Sequence, residues 1–319
     1  MKKIIALNVV VILGVMSSLS VFIINHYLNR INRVDAGFQM RNPSEEDFEK
    51  DPYNGQDVMD PKDVQWGETD SLNDEHLLNI LLVGQDRRPG EGRQRSDTMI
   101  LIGINQKKRK VSMISFLRDL YVQIPGYSGN RLNASYAFGG FELLKSTLKT
   151  NFGITVDNCF EVDFTGFRAL IDAVDGVDIT LTKEEAEAVG LGTVEGQNHL
   201  NGKQALTYAR LRKVGTDFGR TKRQRTVLLA AFQKVRKISF TDLLRLLEDT
   251  LPYLTTDMTN SEIYLLLLKL FPLVTSVKID SYYIPPEGTY TNLYISEMDI
   301  LYPNLTKIRE LLKNEYMPF

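Results

Sequence analysis

The chain has 319 residues, 43% hydrophobic and 24% charged, which excludes a disordered, collagen-like or many-span membrane protein. With 38 basic and 40 acidic residues the net charge is −2, so bulk charge gives no sign of a nucleic-acid binder. A lone cysteine, Cys159, forbids an intramolecular disulfide, and the scattered His26, His76 and His199 lack the spacing of a metal-binding helix.

In chain order, Lys2 and Lys3 are followed by no charge until Arg30, and Ile4 to Ile24 is mostly apolar. As a helix this stretch spans about 31 Å, the thickness of a hydrocarbon core. It exceeds the apolar region of a cleaved signal peptide (about 7–15 residues), and no Ala-x-Ala site follows. Residues 1–24 are therefore expected to be a short cytoplasmic tail and an uncleaved transmembrane anchor. Lys2 and Lys3 on one side and Arg30 and Arg33 on the other nearly balance, but the short N-terminal tail favours export of the C-terminal part. From Asp35 to Glu75 there are 13 acidic and 3 basic residues, with Pro43, Pro52 and Pro61. Few aliphatics are available there to offset ordering entropy, so residues 25–75 read as an acidic extracellular spacer.

Order is expected from residue 76 to 319. Leu77 to Val83, Thr98 to Ile104 and Val111 to Phe116 read as strands, the third apolar on both faces as in a sheet covered on two sides. Helices are expected over Phe141 to Phe152 and Phe164 to Val174, with strands at Cys159 to Val162 and Val177 to Leu181. Asn201 to Ala209, Thr221 to Lys237, Asp242 to Leu251, Glu262 to Phe271 and Met298 to Lys313 read as further helices. Thr259 and Glu262 form a capping box, and Val277 to Ile284 is a late strand. The mixture argues for one layered α/β domain.

Three charged clusters sit where these elements meet loops. Asp86 follows the first strand and Asp97 opens the second, after Arg95. Two such carboxylates converging at a sheet edge would suit Mg2+, although either could instead serve loop hydrogen bonds. Arg118 and Asp119 end the third strand, the position of a site pair or of an ordinary ion pair. Between Arg210 and Arg225 lie seven positive residues, opposed only by Asp217. The apolar stripe Leu228, Ala231, Val235 extends back to Gln224 and Arg220, which places those two inward, whereas Lys222 and Arg225 are expected to face solvent. An inward arginine needs a partner; Asp217 or a bound phosphate would serve, and phosphate fits its planar fork. Gly139-Gly140 reads as a turn before a helix, and Cys159 as core.

These clusters together resemble the LytR-CpsA-Psr family of cell-envelope glycopolymer transferases. The matching blocks are Asp86, Arg95-Ser96-Asp97-Thr98, Ser115 to Asp119, Leu132 to Gly140, Asp172 to Val177, Leu200 to Leu206, Ala209 to Arg212, Asp217 to Arg220 and Arg223-Gln224. The chain departs from the pattern at Phe116-Leu117, where Ile-Pro is usual, at Asp175 before Gly176, and in a shorter loop between Arg212 and Asp217.

The resemblance implies a mixed sheet with helices on both faces and an apolar cavity for a polyprenyl chain. It implies phosphoryl transfer from an undecaprenyl-pyrophosphate-linked glycopolymer to a peptidoglycan hydroxyl, at the cytoplasmic membrane and without nucleic acid. Teichoic acid, capsule polysaccharide and other wall glycans remain equally open as the polymer. By the same resemblance Asp86 and Asp97 hold Mg2+, and Arg118, Arg210, Arg212 and Arg220 clamp the pyrophosphate with help from Arg95 and Gln224. Asp217 orients an arginine or takes the acceptor proton. A carboxylate among guanidiniums is a weak base, which favours orientation. A lipid-pyrophosphate hydrolase using the same site, or an anchored polymer-binding or regulatory protein, are the competing functions.

Overall fold

Alternating apolar positions build a sheet that is buried from both sides. The computed structural model describes residues 25–34, 50–67, 69–72, 74–85, 93–211, 217–237, 239–274 and 277–319. Two short strands, Asn32–Arg33 (β1) and Asp57–Val58 (β2), precede the long strands Leu77–Gln85 (β3), Ser96–Asn105 (β4) and Lys110–Phe116 (β5). A hairpin of Tyr121–Gln123 (β6) and Gly129–Arg131 (β7) leads into helix Leu132–Phe152 (α1). Next come Asn158–Asp163 (β8), Phe164–Ala173 (α2), Val177–Leu181 (β9), Lys183–Ala188 (α3), Gly196–Leu200 (β10) and Gly202–Arg210 (α4). The chain continues through Asp217–Val235 (α5), Phe240–Thr250 (α6), Leu254–Thr256 (β11) and Asn260–Val274 (α7). It closes with Ile279–Ile284 (β12), Tyr290–Ile295 (β13), Met298–Pro303 (β14) and Leu305–Leu311 (α8).

The central sheet is mixed, in the order β1-β11-β8-β3-β4-β5-β12. Side chains alternate across it with period two. Leu81, Val83, Leu101 and Ile114 pack on one face against α1 and α8. Ile80, Leu82, Ile102 and Ile104 pack on the other against α6 and α7. The expected mixed sheet with helices on both faces is thus present. The antiparallel pair β9–β10 closes a second core with α2, α4 and α5, around Ile171, Tyr208 and Val227. The capping box at Thr259 is formed, its amide donating to Glu262 Oε2 at 2.7 Å. Among the described residues no helix is long and apolar enough to cross a membrane, and the expected anchor, Ile4 to Ile24, lies outside them.

Three readings of the sequence are corrected. Met298–Pro303 is a strand, not the start of a helix: it pairs antiparallel with β13 across the two-residue turn Ser296-Glu297, whose φ values are 51° and 62°. Helix α1 begins at Leu132, nine residues before Phe141, and is broken at Gly140 (φ 60°, ψ −146°). The described parts of the segment read as a spacer pack on the domain. Leu28 and Ile31 are buried beside β11, where β1 pairs in parallel. Trp66 stacks on Tyr121 at 5.8 Å, and Leu72 enters the main core.

Asp51 makes the tightest of these attachments, accepting from the Arg131 guanidinium and from the Asp299 amide (2.8 Å). Arg131 is only 3% exposed. Asp51→Ala would strip a buried cation of one partner and is expected to cost about 2–3 kcal/mol in denaturant unfolding. A loss within measurement error would show that the segment is not part of the folded unit.

Candidate active site

Strand directions bring Asp97, Arg118 and Asp119 to one edge. Gln85 at the end of β3 pairs with Ser96 at the start of β4 and with Asp163 at the end of β8. Phe116 at the end of β5 pairs with Met99 and with Ile284 at the end of β12. Four strands therefore finish where β4 begins, and the carboxyl ends of sheet strands are where α/β folds place their ligands.

On this edge Arg118 lies between two carboxylates. Its Nη1 donates to Asp97 Oδ1 at 2.9 Å and its Nε to Asp119 Oδ2 at 3.3 Å. The other oxygen of Asp119 stands 3.5 Å from Arg131 Nε, and Arg131 continues the chain of charges to Asp51. Alternating charges at these distances hold each other's rotamers fixed. A cavity of about 520 Å³ opens beside them, lined by Arg118, Asp119, Arg131, Phe218, Tyr290 and Asp299 among others. Phe218, in the first turn of α5, packs on Tyr283 (5.5 Å) and Tyr290 (5.4 Å) and so draws the start of α5 to this wall.

The other expected site residues spread along this edge and beyond it. Arg95 is half-buried next to Ser96. Arg220 is buried, 5% exposed, and Gln224 half-buried, both inward as their spacing predicts. Arg210 is exposed at the end of α4, its guanidinium carbon 4.1 Å from the ring of Phe164, the residue after Asp163 at the site edge. There it flanks a cavity of about 480 Å³ with Arg168 and Lys203. Arg223 anchors the helix, bonding the Leu211 carbonyl and standing 3.6 Å from Glu185. Asp86, Arg212 and the side chain of Asp217 lie outside the described residues. Among the described residues no three acidic, histidine or cysteine side chains are grouped to hold a metal.

Arg225 is not the solvated charge its spacing suggests. It is 7% exposed, 5.6 Å from the ring of Tyr283, and its Nη1 has no hydrogen-bond partner among the described residues. Burial pulls its guanidinium down to about 10. The one-sided stripe fails because α5 is packed on two sides. Val227 and Ala231 face the second core, while Leu228 and Phe232 line an apolar cavity of about 320 Å³ under the central sheet. That cavity, walled by Leu82, Ile102, Phe160, Leu266 and Ile279, has no polar lining residue.

The sequence reading also misses a buried polar floor. Gln85 Nε2 and the Tyr136 hydroxyl both donate to the Glu161 carboxylate, and the Gln94 amide donates to Gln85 Oε1 at 3.0 Å. Burial, reinforced by the Glu161 carboxylate, pushes the Tyr136 phenol well above its usual range. The Arg93 guanidinium stands 5.4 Å from the Tyr136 ring, against Gly140, where a Cβ would lie 2.7 Å from the guanidinium carbon. The break in α1 thus admits Arg93. A glutamate within the apolar strand Cys159 to Val162 was the available signal.

The edge geometry, the apolar cavity and the ordered motifs agree with a match to the LytR_cpsA_psr family over residues 35–314. The chain belongs to this family. Among curated relatives it is 40% identical over 154 residues to "Regulatory protein MsrR" of Staphylococcus aureus (strain COL), covering 47% of each chain. It is 36% identical over 176 residues to "Polyisoprenyl-teichoic acid--peptidoglycan teichoic acid transferase TagU" of Bacillus mycoides (strain KBAB4), covering 54% of this chain and 57% of that one. The chain spans about half the length of the curated relatives it matches. Its fold is similar to that of YwtF (TagT) from Bacillus subtilis with bound octaprenyl pyrophosphate lipid: TM-score 0.59, 22% identity, covering 79% of this chain and 97% of that one.

Because the buried Arg225 guanidinium has no carboxylate partner among the described residues, Arg225→Met is expected to leave the ligand-free protein as stable or more stable in thermal unfolding. A loss above about 2 kcal/mol would mean that its stacking on Tyr283 outweighs the cost of burying its charge.

Proposed function

We propose that this protein is a phosphotransferase that moves a glycopolymer from an undecaprenyl-pyrophosphate carrier to a peptidoglycan hydroxyl. In this reading it is anchored once in the cell membrane with its catalytic domain outside. One observation carries the reading: an apolar cavity lies under the sheet, and its wall residue Leu82 is three positions from Gln85 at the edge where Arg118 is fixed. By strand rise that is about 10 Å, so a lipid chain in the cavity could present its phosphates to the charged edge. The names of TagU and of the lipid-bound TagT support the same substrates.

In the proposed reaction the acceptor hydroxyl oxygen attacks the phosphorus that bears the glycan, and its proton passes, directly or through water, to the departing phosphate. The bond from that phosphorus to the bridging oxygen breaks, and polyprenyl phosphate leaves with the electron pair. Such transfer needs positioning and neutralisation of oxygen charge more than covalent chemistry. Arg118, already oriented by Asp97 and Asp119, meets that need without reorganising. Arg220, with Arg210, Arg212 and Arg95 from the flanking segments, would complete the clamp, and Gln224 would hydrogen-bond within it. Asp97, a hard oxygen donor still 26% exposed, fits Mg2+, which it would hold with Asp86. Bound there, the ion would neutralise phosphate oxygens. Asp217 would orient a clamp arginine.

Two measurements test this. In titration calorimetry, Asp97→Ala should stay folded and lose the Mg2+-dependent part of its pyrophosphate affinity; an unchanged Mg2+ dependence would return Asp97 to a purely structural role beside Arg118. In a steady-state transfer assay, Arg212→Ala should lower turnover roughly 10²-fold, about 2.7–4 kcal/mol for a lost transition-state donor. Lys222→Ala, at an exposed position of α5, should change it less than about threefold. Similar small losses in both would favour a diffuse electrostatic patch, and release of polyprenyl phosphate with free glycan phosphate in the absence of peptidoglycan would mark a hydrolase.

A further inference from the structure

Helix α7 presents apolar side chains in two directions. Ile263 and Leu266 are buried, and Leu266 and Leu270 line the apolar cavity. Yet Leu265, Leu267 and Leu268 are 54%, 50% and 54% exposed. Three of the large exposed apolar side chains of the described residues thus fall within four positions of one helix. Such a cluster needs a cover.

Topology fixes where that helix lies. β11 runs antiparallel to β8, with Thr256 opposite Phe160, so it ends away from the charged edge. β12 begins with Ile279 opposite Val111, again at the far end. Helix α7 connects these two points, so it crosses the sheet at the end opposite Arg118. Its first residue is tied to the segment that leaves the predicted anchor: Asn260 Nδ2 donates to Asn29 Oδ1 (2.6 Å) and to Asn25 Oδ1 (3.3 Å), and Arg33 Nη2 donates to Asn260 Oδ1 (2.5 Å). Asn25 is the residue after Ile24, where the 21-residue apolar stretch ends.

We propose that α7 is a membrane-contact helix: its exposed leucines sit in the headgroup boundary of the bilayer, and the isoprenoid chain passes from the bilayer along α7 into the apolar cavity. This rests on the anchored reading proposed above. A bilayer is the occupant because the start of α7 is one side-chain contact from the residue at which the chain leaves the membrane. Leucines outward with exposed Lys269 beside them match an interfacial helix, whose long cation reaches the headgroups. The orientation also fits the substrate: the chain end of the cavity faces lipid, and the phosphate edge faces away.

The test uses the full chain in phospholipid vesicles, with single cysteines at Leu265→Cys, Leu268→Cys, Asn25→Cys and Val58→Cys carrying an environment-sensitive dye; native Cys159 is buried. Dyes at 265, 268 and 25 should be blue-shifted and quenched by lipids spin-labelled near the headgroup, and the dye at 58 should not. Quenching at 25 with water-exposed dyes at 265 and 268 would overturn the proposal and leave the anchor standing. No quenching at 25 would remove the anchored reading with it. A blue shift at 265 without lipid quenching would show a protein partner and also overturn it. Leu265→Glu combined with Leu268→Glu should bind farnesyl pyrophosphate from solution like the parent protein, yet turn over bilayer-embedded carrier at least about tenfold more slowly. Equal turnover would reject the lipid-transfer role.

Discussion

The bracketing of Arg118 by Asp97 and Asp119 is the contact on which the rest of the site depends. It joins the start of β4 to the end of β5, and through Asp119 it reaches Arg131, Asp51 and strand β14. A guanidinium held from two sides loses rotamer freedom before any ligand arrives, so little ordering remains to oppose binding. The same arrangement makes the N-terminal segment part of the site's support, because Asp51 answers a cation that is otherwise sealed from water.

How much of the fold and site the sequence reveals depends on how local each signal is. The strands β3, β4 and β5 are legible because their apolar runs are long and bounded by polar turns. Asp97 and Arg118 are legible because they stand at the ends of those runs. Arg131 and Asp51 are not, since 80 residues separate them and Asp51 sits in an acidic run that reads as a spacer. Arg225 is misread because periodicity assumes one inward face, whereas α5 is wedged between a second core and the apolar cavity. Met298–Pro303 fits a helix on hydrophobic content alone; Pro303 and the Ser296-Glu297 turn were the contrary signals.

Several family motifs are architectural rather than chemical. Asp172 Oδ1 accepts from the Gly202 amide at 2.6 Å, and Asn201 with Gln204 forms a capping box at the start of α4. A Cβ at Gly202 would lie 2.4 Å from the Arg168 carbonyl oxygen, so α2 and α4 approach closely there. These contacts set the position of Arg210 at the far end of α4 without touching a ligand. Ordered motif blocks can therefore identify a family strongly while only some of their residues face the reacting groups.

The phenol of Tyr136 bears on how the site responds to acidity. Because burial keeps it protonated well above neutrality, it remains able to donate to Glu161 from acid to mildly alkaline conditions. The floor beneath the charged edge therefore keeps its tyrosine donor at any ordinary acidity. A phenol that does not ionise gives the polar floor a fixed polarity: Tyr136 offers a proton and no negative charge, so no second anion arises beside Glu161.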